Sequence, residues 1–171
     1  MNTVTVDFEG TVPQGTELLL GCGNDLRKQM AIPGKEEWRD LVTLDIDPDS
    51  DADIRLDLHH LPLPFADETF EEIHAYEILE HVGQQGDWRT FLAQFTEFHR
   101  ILKPGGHFFA TTPCWDSMWA WSDPGHTRII SQGSITFLSQ DNYKDVGKTP
   151  MTDYRHVYKV NFEIVHAGEQ G

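Results

Sequence analysis

The stretch Glu17-Leu18-Leu19-Leu20-Gly21-Cys22-Gly23-Asn24-Asp25 constrains this chain more than any other. Its four leading residues read as one short buried strand, and the polar residues after Gly23 can open a helix. Between them stands Gly-x-Gly. Glycine carries no Cβ, so the backbone there can approach a ligand and aim free N–H groups at it. Gly-x-Gly alone predicts no more than a tight turn. The continuation narrows it: Leu41-Val42-Thr43-Leu44-Asp45 is a second apolar run, and it ends in an acid at the spacing a ribose-binding carboxylate needs.

Further along, strand and helix signals alternate. Ala52–Leu58 reads as a short strand, a strand is expected over 71–75, and Glu77–Val82 reads as a short helix. The clearest helix follows Asp87, its expected N-cap. Trp88, Phe91, Leu92, Phe95, Phe98 and Leu102 recur at three- and four-residue spacing, and Pro104-Gly105-Gly106 stops the pattern. His107–Thr112 is the next strand. A short helix is also expected from Asp25 to Met30, another over Ser131–Gln140, and strand over Tyr154–Val165. This order predicts an α/β fold, a Rossmann-like doubly wound, mostly parallel sheet in a single compact domain. Residues 1–16 form an N-terminal extension whose period-two run Thr3–Phe8 suggests a strand. Residues 113–130, with Trp115, Trp119 and Trp121 among Pro and Gly, suggest a lid, and 131–171 supply an acceptor-side helix and terminal strands.

The formal net charge of −15 disfavours nucleic acid and anionic membranes, which call for clustered Lys and Arg. There is no apolar run of membrane-spanning length and no basic-then-apolar leader, so a cytoplasmic protein is expected. Two cysteines make no disulfide framework, and no metal-ligand spacing occurs. Asp45, Asp47, Asp49, Asp51 and Asp53 alternate, but neither calcium-loop register places Gly and Glu where the loop needs them. One functional acid followed by a solvated acidic loop is the expectation.

Several pieces in order resemble the class I S-adenosylmethionine-dependent methyltransferases. They are Leu-Leu-Gly-Cys-Gly-Asn at 19–24, Val-Thr-Leu-Asp at 42–45, Asp57-Leu58, and Leu63-Pro64-Phe65 with Phe70–Ile73. Then come Ile78-Leu79-Glu80-His81-Val82 and Arg100–Gly106. The resemblance implies S-adenosyl-L-methionine as cofactor, held by Gly21, Cys22, Gly23, Asn24, Asp45, Ile46, Asp57, Leu58, Tyr76 and Glu77. Asp45 would accept both ribose hydroxyls, Asp57 and Leu58 would border the adenine, and Tyr76 and Glu77 would flank the methionine part. The family's usual acid two residues before the first glycine is Leu19 here, and its third glycine is Asp25.

His126, in Asp123-Pro124-Gly125-His126-Thr127-Arg128, resembles a motif of small-molecule and glycan methyltransferases in which the His lies near the acceptor; a structural turn is the alternative. His81 either faces the methyl group or merely ends its short helix. These two are the candidates for a catalytic base. Cys114 is read as a packed or loop cysteine rather than a nucleophile. The expected function is methyl transfer to a small-molecule or glycan acceptor. Its rivals are a non-catalytic binding subunit of the same fold and an RNA methyltransferase, and a homodimer or partner protein is compatible with each.

Overall fold

The computed structural model describes residues 13–168; the expected strand Thr3–Phe8 lies outside them. Five strands, β1 (Glu17–Leu20), β2 (Leu41–Asp45), β3 (Ile54–Arg55), β4 (Phe70–Tyr76) and β5 (Leu102–Thr111), form one sheet in the order β3-β2-β1-β4-β5. All neighbours are parallel. A parallel sheet is covered on both faces, which is why β1 and β2 read as continuous apolar runs and not as alternation. Every residue of β1 is buried.

One face carries α1 (Trp88–Ile101), capped as its sequence requires: the Asp87 carboxylate accepts from Thr90 N–H. Its apolar stripe of Phe91, Leu92, Phe95, Phe98 and Ile101 joins the main core with Leu18, Leu20, Val42, Leu44 and Ile73. Phe98 stacks on Phe108 of β5 at 5.0 Å between ring centroids. The strand after α1 begins earlier than expected: Leu102 already pairs with Phe70, and the register then shifts so that Glu72 opposes His107. Lys103–Gly106 absorb that shift as a bulge.

The other face lacks the helix expected over Asp25–Met30. Its backbone groups are claimed from elsewhere: Asp25 accepts from Arg27 N–H, Tyr76 Oη receives Met30 N–H, and Leu26 C=O accepts from Trp38 Nε1. Six residues form a marginal helix, and such side-chain bonds outcompete it. The loop 24–39 instead covers Leu19, Cys22 and Tyr76 with Met30 and Trp38.

Under that loop lies a buried ionic chain. Lys28 Nζ reaches Glu17 at 2.9 Å and Glu72 at 2.8 Å, Glu72 meets His74 Nε2 at 3.2 Å, and His74 Nδ1 meets Tyr76 Oη at 2.6 Å. Burial pushes the His74 imidazole down to about 4, and the Lys28 charge adds to it. Burial alone would raise the Glu72 carboxyl, but its bonds to Lys28 and His74 hold it below the ordinary value.

The segment Tyr154–Val165 is not strand. Gln140 Nε2 donates to the carbonyls of Tyr158 and Val160, Phe162 N–H reaches Leu138 C=O, and the Phe162 ring joins Phe95 and Phe108. Its β-forming residues are thus spent on packing against α1 and β5. Within Ser131–Gln140 only α3 (Gln132–Ile135) is α-helical, followed by 3-10 turns at Thr136–Leu138 and from Gln140. A short helix, α2 (Met118–Ser122), stands in the 113–130 segment. No helix among the described residues is long and apolar enough to cross a membrane.

Candidate functional site

The strand order reverses at β1, with β2 on one side and β4 on the other, and the carboxyl ends of these strands open the crevice where parallel sheets bind ligands. Gly21 and Gly23 both adopt positive φ, +62° and +47°. A Cβ on Gly21 would stand 2.5 Å from the Ile78 side chain, so only glycine lets β1 meet the segment after β4. Above Gly23 there is open space instead. The first glycine closes the turn, and the second leaves room over it.

Asp45 ends β2 beside this turn, and its carboxylate accepts Gly23 N–H at 2.6 Å and Asp47 N–H at 2.8 Å. A carboxylate has about four acceptor sites, so each oxygen keeps one for a diol. Ile46, next in the chain, is 63% exposed, whereas Leu58 belongs to the main core. Ile46 is therefore the apolar surface available to a flat ring. Asp57 accepts from both His59 N–H and His59 Nδ1, and those bonds outweigh burial to lower its carboxyl. His59 Nε2 in turn receives Gly83 N–H at 2.9 Å, tying the loop after β3 to the segment after β4. Asn24 is exposed on the glycine turn and Cys22 is buried beneath it.

Tyr76 lies at the tip of β4, but its hydroxyl is bound to His74 and Met30 on the loop-covered face. It supplies position and not a polar group. Glu77 beyond it is exposed and sits at φ +51°, a left-handed conformation costly for a non-glycine residue, with its N–H held by Thr111 C=O. Glu17 does not replace the acid missing at Leu19. Its carboxylate is committed to Lys28 and to Arg39 N–H. Of the acidic run, Asp53 is exposed but also structural: Oδ2 accepts from both Thr43 N–H and Thr43 Oγ1 and so fastens the start of β3 to β2.

One 3-10 turn, Leu79–His81, follows β4. Thr127 N–H and Arg128 N–H both donate to Glu80 C=O, which brings residues 125–128 onto this turn across some 45 positions of sequence. The His81 and His126 rings stand edge to face with centroids 4.7 Å apart. Beside them is Glu80, 2% exposed, with neither carboxylate oxygen hydrogen-bonded. His126 Nε2 lies 4.0 Å from Glu80 Oε1, within ion-pair reach but too far for a hydrogen bond. Burial pushes the Glu80 carboxyl up to about 7, against the pull of its own backbone N–H and of His126, with Glu77 and Asp123 adding to the rise.

The two expected histidines are therefore brought together at the turn after β4, the segment whose Ile78 packs on Gly21, while Glu80 was missed. Its only sequence signal is adjacency to His81; burial, which raises its carboxyl pKa, is not written in spacing. Cys114 lies half-buried past β5.

Residues 18–110 match the family model described as "Methyltransferase domain", more than half of the chain. The chain belongs to this family. The methyltransferase-domain match ends at β5, so His126 and the tryptophan segment lie beyond it. Among solved structures, "Crystal structure of a SAM dependent methyltransferase from Archaeoglobus fulgidus" shares the fold at TM-score 0.55 and 17% identity, covering 72% of this chain and 58% of that one. The chain thus spans less than two thirds of that relative's length. None of the curated proteins matches. The cradle over Gly23, the free acceptor sites of Asp45 and the exposed Ile46 fit S-adenosylmethionine, the cofactor that the fold family implies.

Proposed function

We propose that this methyltransferase domain binds S-adenosylmethionine at Gly21–Gly23, Asp45 and Ile46, and methylates a small-molecule or glycan acceptor presented at Glu80, His81 and His126. The observation that carries the reading is the juxtaposition of a room-leaving glycine turn with a buried carboxylate that lacks a hydrogen bond and stands beside two imidazoles, joined through the Gly21–Ile78 contact. When bound, the cofactor supplies an electrophilic methyl group whose departure leaves a neutral thioether. The chain's part is alignment and proton removal. Asp45 fixes the ribose, and the wall of Glu77–His81 sets where the acceptor stands. His126 Nε2 takes the acceptor's proton, and the Glu80 carboxylate stabilises the imidazolium that results.

Residues 113–130 act as a lid in this reading. Their C-terminal end is anchored to Glu80 and Gly83, while Trp115, Trp119 and Trp121 are 53%, 69% and 70% exposed. Aromatic faces of this kind suit sugars and flat small molecules.

A second reading, a non-catalytic subunit that keeps the fold to dock a partner, is favoured by the outer edge of β5, which pairs with no strand among the described residues. An open groove of about 1330 Å³ runs along it, lined by Phe108, Phe109, Ala110, Phe162 and Ile164. Calorimetry with S-adenosylmethionine and S-adenosylhomocysteine separates the two. Binding of both supports the enzyme, and binding of neither leaves the docking subunit.

A further inference from the structure

We infer that Glu80, His81 and His126 form a binding site for one divalent transition-metal cation. The inference rests on the methyl-transfer reading above for the cation's chemical use, and replaces the part of base given there to His126 with that of a ligand. One ligand-capable atom from each residue lies within 4.8 Å of the others. Metal–ligand distances of about 2.1 Å put tetrahedral donors about 3.4 Å apart, so an ion would draw the three in by roughly 1 Å.

The cluster is short of positive charge in a way an ion would relieve. Glu80 is buried with neither oxygen hydrogen-bonded and only His126 Nε2 at 4.0 Å as an ion-pair contact, and a carboxylate so placed is costly unless it is better paired. Its neighbours Glu77 and Asp123 repel it. Arg128 does not serve: Nη2 is taken up by the carbonyls of Gln84 and Asp87, Nη1 is buried without a hydrogen-bond partner, and no ion pair among the described residues joins this guanidinium to Glu80. His126 also has a buried Nδ1 without a partner. A histidine ligand is held by donating its other ring N–H to a carboxylate or a backbone carbonyl. His81 has that support: Nδ1 lies 3.1 Å from Gly125 C=O, an acceptor only, so Nδ1 carries the proton and Nε2 keeps its lone pair.

Two imidazoles and one carboxylate favour zinc-like ions over magnesium or calcium, which prefer all-oxygen shells. Three protein ligands leave a position open. Asp123 Oδ2, 3.9 Å from His126 Nε2, stands ready beside it. An acceptor hydroxyl bound there would lose its proton to water, and the oxygen would keep the electron pair that forms the new O–C bond as the S–C bond breaks towards sulfur. The acceptor class is thereby an oxygen nucleophile, an alcohol, phenol or sugar hydroxyl, and His126 serves as a ligand in place of a base. Spacing could not show this site, because its third ligand lies 45 residues after His81.

The test is cobalt(II) titration of the chelator-dialysed full chain, read by visible d–d absorption, with zinc(II) calorimetry beside it. The expected result is one ion per chain, displaced by zinc. Glu80→Gln and His126→Ala should each weaken binding by at least about 100-fold, the upper end for a mere supporting residue. Glu80→Gln changes shape little and removes the unpaired carboxylate, so its metal-free melting temperature should be unchanged or higher. Failure of the wild type to bind an ion stoichiometrically, or equal affinity in both variants, overturns the site. S-adenosylhomocysteine calorimetry on the same samples keeps the failures apart: cofactor without metal sinks only the cation, and neither sinks the methyl-transfer reading as well.

Discussion

Asp45→Ala should cost the protein most of its affinity for S-adenosylhomocysteine. In the structure this carboxylate makes two backbone bonds, to Gly23 and Asp47, and retains one acceptor site on each oxygen. Two hydroxyls of a bound ribose would use both remaining sites. Each is a charge-assisted bond, worth about 1–2 kcal/mol net against water. Their joint loss is then about 2–4 kcal/mol, or about 30- to 700-fold in Kd. The alanine also frees the Gly23 and Asp47 N–H groups, so the turn itself loosens and the loss should lie towards the upper end. Calorimetry against wild type measures it, and a melting curve confirms that the variant is folded. Asp49→Ala and Asp51→Ala, both at exposed positions of the same run, should bind as wild type. Unchanged affinity in Asp45→Ala would remove the residue from the site, and equal losses in the controls would replace a specific diol contact with a general effect of negative charge.

The His74 imidazole is held near 4 in the fold against about 6.5 unfolded. The unfolded chain therefore binds the extra proton between those values, so stability is full above pH 6.5 and falls by about 3 kcal/mol as pH drops to 4. Denaturant titrations of wild type and His74→Gln across that window check it; a slope that survives in the variant would assign the effect to another group. Asp87→Ala should destabilise the protein by about 1 kcal/mol through loss of the α1 cap, with cofactor affinity unchanged. If residues 113–130 close as a lid, S-adenosylhomocysteine should blue-shift tryptophan fluorescence and slow amide exchange there. Equal exchange with the ligand demonstrably bound would make the segment a static wall.

How much the sequence determined differs between the two faces of the sheet. The α1 face was legible, because period-3.6 apolar spacing, a cap and a stop are local signals that agree with one another. The other face was not. Residues 25–30 carry helix-compatible residues, but Lys28 is drawn to Glu17 and Glu72 on two different strands, and no local pattern records a partner 44 residues away. Likewise the β-forming residues of 154–165 satisfy only a preference for half-buried surroundings, which packing on Phe95 and Phe108 meets as well as a strand would.

The same division runs through the candidate site. The glycine turn and Asp45 could be read directly, since positive φ and a strand-end acid are demands on residue type at fixed spacing. His81 and His126 were visible as residues, but their meeting was decided by Thr127 and Arg128 binding the Glu80 carbonyl. Glu80 shows the limit most clearly. In the sequence it is one acid among 28 Asp and Glu residues; only the tertiary fold strips it of water and withholds a partner, and desolvation, a property of the surroundings, is what gives a carboxylate unusual chemistry.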